Sequence, residues 1–192
     1  MRVLGASAFD AEHIITSETT RKLIEERGKQ DWDSEYGRMP RLFKEPEGIP
    51  GLTWPTQTFD THFEIDLGGN RGKLDLRFEG RGHTAGDIIV WHDKTKTMFA
   101  GDLVEAEAAL YTGDAFHMEW ASKTLDNLKK YRAEFIVGGR GAVAKGTEAT
   151  DAAIEQTRAF LNGMIDNVGA VHKRGGTLKE ALEATHKALA PK

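Results

Sequence analysis

Between Thr58 and Phe78 apolar and polar residues alternate, with Phe63, Ile65 and Leu67 set against Glu64 and Asp66. After Gly68-Gly69-Asn70, Leu74, Leu76 and Phe78 resume the alternation. Period-two alternation around a Gly-rich turn predicts a β-hairpin. Two continuous apolar runs follow, Ile88-Ile89-Val90-Trp91 and Thr97-Met98-Phe99-Ala100, separated by His92-Asp93-Lys94-Thr95-Lys96. They predict a second hairpin whose strands are covered on both faces and lie in the middle of a sheet. From Glu119 to Tyr131 the apolar residues Trp120, Leu125, Leu128 and Tyr131 fall near helical spacing. A strand at Phe135-Ile136-Val137 then ends in Gly138-Gly139-Arg140-Gly141. Thr147 to Val171 and Thr177 to Leu189 read as two amphipathic helices split by Gly175-Gly176.

The N-terminal part is less regular. Ala11 to Ile15 reads as a short strand, and Ser17 is placed to cap a helix that opens through Glu18-Thr19-Thr20-Arg21-Lys22-Leu23-Ile24. Residues 28–57 hold four of the five prolines and scattered charges without a period, which predicts a long excursion instead of a regular element. With no repeat or composition break, residues 1–192 are expected to form a single domain, the starting assumption for a chain of this length.

Charge and composition narrow the function classes. With 26 Lys and Arg against 30 Asp and Glu the chain carries a net charge of −4, so no basic field exists to hold a phosphate backbone, and nucleic acid is not expected as a partner. No apolar run approaches the roughly 20 residues of a membrane helix, and the first residues show no signal-peptide pattern, so a cytoplasmic protein without a membrane partner is expected. The chain has no cysteine, which excludes disulfides, thiolate metal sites and a Cys nucleophile together. Any metal must be held by His, Asp or Glu.

Two side chains stand out on that ground. His83 follows the first hairpin at a Gly-rich turn, and Asp102 comes just after the strand that ends at Ala100. Pairing of the intervening hairpin brings both to one strand edge. Imidazole and carboxylate suit zinc or iron, although a hydrolytic site generally needs three protein ligands and an open position for water. The competing reading has His83 capping a turn and Asp102 capping the backbone after Gly101. Asp87 is expected to be structural, accepting backbone N–H bonds in its turn. His117 lies in a loop that can overhang the pocket, and His92 reads as an exposed turn residue. His13, His62, His172 and His186 have no partner at ligand spacing. Trp54, Trp91, Trp120 and Phe116 either line the cleft or belong to the core.

The run His83-Thr84-Ala85-Gly86-Asp87, the strand after it, and Phe99-Ala100-Gly101-Asp102-Leu103-Val104 resemble the second half of metallo-β-lactamase-fold hydrolases. The resemblance implies an α/β fold, an αββα sandwich incomplete at its N-terminus, with His83 and Asp102 as ligands of a di-metal centre that is usually zinc. Asp102 would also be catalytic. Two departures matter. The family's His-x-His-x-Asp-His signature is nowhere in the sequence, and the chain is expected to begin just after it. The family's last ligand, a His in a Pro-Gly-His-Gly turn, is replaced by Arg140 in Gly138-Gly139-Arg140-Gly141, which resembles a subset of the family with Arg at this turn. A guanidinium cannot ligate a cation. Arg140 is therefore either a substrate-binding clamp for an anionic group or the salt-bridge partner of Asp102 or Glu105.

Two functions remain open. One is a metal-dependent hydrolase acting on a small-molecule substrate with an anionic group, its water activated by zinc, or iron, held in part by His83 and Asp102. The other is a non-catalytic remnant, fragment or interaction module with a degenerate metal site. A sheet lacking its first strands would expose an edge and apolar surface, so self-association is expected.

Overall fold

The computed structural model describes residues 2–43, 52–108 and 110–190. They divide into two compact units, Met1–Thr61 and His62–Lys192.

In the first unit, strand β1 (Ile15–Ser17) pairs in parallel with β2 (Gln57–Phe59). Ser17 ends β1 and caps α1 (Glu18–Arg38), its Oγ accepting from Thr20 N at 3.1 Å, as the sequence predicts. The helix runs on to Arg38, past residue 28 where the excursion is expected to begin. Its second half buries little and has no apolar stripe. It is held by local pairs instead, with Lys29 Nζ 2.8 Å from Asp33 Oδ1 and the rings of Trp32 and Tyr36 stacked at 5.4 Å. Residues 44–51 of the excursion lie outside the described residues.

The second unit is a six-stranded sheet in chain order: β3 (His62–Asp66), β4 (Lys73–Arg77), β5 (Ile89–His92), β6 (Thr97–Gly101), β7 (Phe135–Gly138) and β8 (Ala144–Lys145). All neighbours are antiparallel except β6 and β7. Both predicted hairpins form, and the second is central. Only one of its faces is fully covered, however. Ile89, Trp91, Met98 and Ala100 are buried, whereas Phe99 on the opposite side is 45% exposed. A continuous apolar run cannot tell one covered face from two.

The β6–β7 crossover carries α2 (His117–Glu119), a π turn (Trp120–Thr124) and α3 (Leu125–Lys129). After β8 come α4 (Thr147–Lys173) and α5 (Leu178–Leu189), the second opened by a capping box between Thr177 and Glu180. Helix α4 buries Thr150, Ala153, Ile154, Thr157 and Leu161, positions three and four apart that make one stripe. With Ile89, Met98, Trp120, Leu125 and Ile136 this stripe forms the core. Each large side chain so buried contributes about 1.5–3 kcal/mol, which fixes the ends of β4, β6 and β7 relative to one another. Among the described residues no helix is long and apolar enough to cross a membrane.

Candidate functional site

His83 stands in a turn that is satisfied almost entirely from within. Asp87 Oδ2 accepts from Thr84 N at 2.6 Å and its Oδ1 from Thr84 Oγ1 at 2.9 Å, the structural role expected of it. Burial pushes the Asp87 carboxyl above its ordinary value, and the Thr84 bonds pull the other way. Gly82 allows close packing beneath the turn, for a Cβ there would strike Leu103 and crowd Trp120. Phe116 N donates to Gly82 O at 2.8 Å and ties the crossover loop to the turn. Trp120, fully buried, donates through Nε1 to Leu103 O at 3.1 Å and sets its ring edge-on to His83, centroids 6.1 Å apart. Tyr111 flanks the imidazole at 5.8 Å, a neighbour the sequence reading missed. The His83 side chain is only 14% exposed, and its Nε2 is buried without a hydrogen-bond partner.

Asp102 arrives from the far end of β6. Gly101 adopts φ +53° at an irregularity in the β6–β7 register, and the chain turns there. The turn brings Asp102 Oδ2 to 3.9 Å from His83 Nε2. The predicted juxtaposition is therefore present, between two side chains that are both largely buried.

The glycine turn after β7 completes the cluster. Gly139 N donates to Gly101 O at 2.6 Å, and a Cβ on Gly139 would collide with the Asp102 carboxylate, so only glycine permits this approach. Arg140 then lies beside both expected partners, its Nη1 3.8 Å from Asp102 Oδ1 and hydrogen-bonded to Glu105 Oε1. The Glu105 side chain is wholly buried, its backbone N donates to Thr157 Oγ1 of α4 at 3.3 Å, and its Oε2 has no hydrogen-bond partner. Burial pushes the Glu105 carboxyl up, Arg140 opposes this, and the nearby Asp102 adds to it.

A sequence model of the metallo-beta-lactamase superfamily matches residues 4–140. The chain belongs to that superfamily. The metallo-beta-lactamase type 2 of Bacillus sp. (strain 170) is 33% identical over 75 residues, 37% of this chain and 29% of its own. That of Elizabethkingia meningoseptica is 24% identical over 86 residues, 43% of this chain and 34% of its own. The chain thus matches about a third of the length of these curated relatives. Among solved structures, the metallo-beta-lactamase from Pontibacter korlensis superposes with a TM-score of 0.60 at 23% identity, over 82% of this chain and 61% of its own. Metallo-beta-lactamase IND-7 gives 0.59 at 22%, over 83% and 61%. At these identities the structural likeness is one of fold, and it agrees with the α/β class read from the sequence.

Proteins of this superfamily typically bind zinc. Imidazole and carboxylate are zinc-ligand types, and His83 and Asp102, 3.9 Å apart, are the two residues that would hold such an ion. The orphaned, buried Nε2 and the surplus of carboxylates, Asp87, Asp102 and Glu105 against one guanidinium, suit a cation there. No third such side chain joins His83 and Asp102: no group of three or more His, Asp or Glu able to hold a metal occurs among the described residues. His117 begins α2 and joins no such group. His92 bonds Thr95 Oγ1 and Arg71 O, stitching the two hairpin turns together. Of the aromatics, Trp91 and Trp120 are core and Trp54 is exposed.

Proposed function

We propose that this chain carries a metal-dependent hydrolase site of reduced form, in which His83 and Asp102 hold one zinc ion and Arg140 meets an anionic group of a small-molecule substrate. The observation that carries the reading is the buried His83 Nε2, which has no hydrogen-bond partner and stands 3.9 Å from a carboxylate oxygen. A buried imidazole nitrogen left without a partner costs free energy, and a cation shared with Asp102 removes that cost.

Zinc bound in such a site lowers the pKa of a water and polarises a carbonyl or phosphoryl oxygen. The chain's own residues supply the rest. Trp120 and Tyr111 wall the imidazole and limit water around it. Asp102, 9% exposed, would hold the ion through Oδ2 and orient the attacking water beside it. Arg140, 45% exposed, presents a fixed cation at the solvent side, where a carboxylate or phosphate can pair with it.

A second reading is a non-catalytic member of the superfamily. What favours it is that Arg140 is already engaged by Glu105 and Asp102 and that the described residues offer only two ligands. One experiment separates the two. Zinc and iron are measured in the purified chain after dialysis, and again in the His83→Ala, Asp102→Ala double variant. Near-stoichiometric metal that disappears in the variant is expected from the hydrolase reading and licenses a screen of anionic esters and lactams. Metal-free protein in both would sink it in favour of the second.

A further inference from the structure

Asp102 faces two different neighbours with its two oxygens. Oδ2 looks toward the His83 imidazole at 3.9 Å and Oδ1 toward the Arg140 guanidinium at 3.8 Å. On the second side the guanidinium is also bonded to Glu105, whose side chain is wholly buried on the α4 side of the site. A buried carboxylate needs a cation or donors, and here the cation is covalent. We infer that the Arg140–Glu105 pair is a built-in counter-charge that takes the place of a second cation beside Asp102, so that the site accepts at most one metal ion, on the His83 side.

Three features support this. The turn that carries the guanidinium is anchored: Gly139 N is bonded to Gly101 O, and Gly139 lies against the Asp102 carboxylate with no room for a side chain. Arg140 is always charged, so it repels a divalent ion at its own end of Asp102 at any working pH. And Glu105 has no other charged partner than Arg140 among the described ion pairs, which makes it the residue that positions the guanidinium. The inference rests on the proposed reading only for the identity of the first metal position.

The test compares zinc binding by the wild-type chain, Arg140→His and Arg140→Gln. Each is dialysed metal-free, checked by far-UV circular dichroism, and titrated with zinc at neutral pH against a chromophoric chelator while Tm is followed. The wild type is expected to take no more than one zinc. Arg140→His should either gain an equivalent or bind zinc at least tenfold more tightly, with a larger zinc-induced rise in Tm. Arg140→Gln should show a lower metal-free Tm, because Glu105 loses its counter-charge, and should recover part of it with zinc.

Two zinc ions on the wild type would overturn the inference while leaving His83 and Asp102 as ligands. So would a folded Arg140→His whose stoichiometry and affinity match the wild type. A wild type that binds no zinc beside an Arg140→His that binds one would keep the counter-charge and discard the His83–Asp102 reading. Should Arg140→His fail to fold, Arg140→Gln decides alone: no zinc-dependent recovery of Tm beyond that of the wild type counts against the pair.

Discussion

The two turns that meet at Asp102 place their functional groups in opposite ways. The His83 turn is closed by the Asp87–Thr84 bonds and holds the imidazole against Trp120 with its Nε2 toward Asp102. The Arg140 turn has no internal side-chain bond of that kind. It uses glycine to bring backbone against Asp102, and it projects a long cation onto a buried acid from another element. The first is built to hold a donor still, and the second to hold a charge in place. A ligand must point at an ion to within tenths of an ångström, whereas a counter-charge needs only proximity, and the two supports differ accordingly.

The comparison breaks most severely if Trp120 is removed, since it packs under the His83 turn and bonds Leu103 O beside Asp102. Trp120→Ala deletes a fully buried indole and its bond to Leu103 O, and is expected to cost about 3–5 kcal/mol. Urea denaturation monitored by circular dichroism checks this. A loss below about 1 kcal/mol, far under the range for such a truncation, would show that the turn does not depend on the indole.

A narrower cut is Asp87→Ala, which removes both acceptors of Thr84 and leaves the core intact. Two lost bonds would cost about 1–3 kcal/mol. Burial already disfavours the Asp87 charge, so the lower half of that range is expected. On the proposed reading, in which the turn orients a ligating imidazole, zinc affinity should fall roughly tenfold or more. Unchanged affinity at reduced stability would mean that the imidazole is oriented by its aromatic neighbours.

How far the sequence discloses these parts follows from the same contrast. The α4 stripe of Thr150, Ala153, Ile154, Thr157 and Leu161 was legible because tertiary burial imposes a helical period. The second half of α1 was not, because its Lys29–Asp33 and Trp32–Tyr36 contacts leave no apolar period behind. The nearness of His83 and Asp102 was readable from their places at strand ends. Glu105 entered only as one of two candidate partners for Arg140, although an acid inside Leu103-Val104-Glu105-Ala106 is itself the signal of a buried charge that needs a cation. Tyr111 left no such signal, for its nearness to His83 depends on the path of a loop. The exposed side of Phe99 was hidden for a different reason: one strand's composition does not report what covers it.

A half-buried acid outside the site sharpens the contrast by pairing with a neutral donor instead of a cation. Tyr131 packs edge-on against Trp91 at 5.1 Å and donates its hydroxyl to Glu79. Burial, and then the Glu79 carboxylate, push the Tyr131 phenol well above its ordinary value. A phenol raised on folding favours the protonated, folded form. Its contribution is fully present below the ordinary phenol range near pH 10 and is lost as pH climbs through the raised value. Tyr131 is partly exposed, so the effect should be small: a late step in the phenolate absorbance titration, absent in Tyr131→Phe, and an alkaline unfolding limb that is shallower in that variant. An identical alkaline limb in both proteins would mean that the Tyr131–Glu79 bond adds nothing to folding. Glu105 would then be the more telling case, since an acid paired with a guanidinium loses its partner only by mutation and never by deprotonation of the donor within the working range.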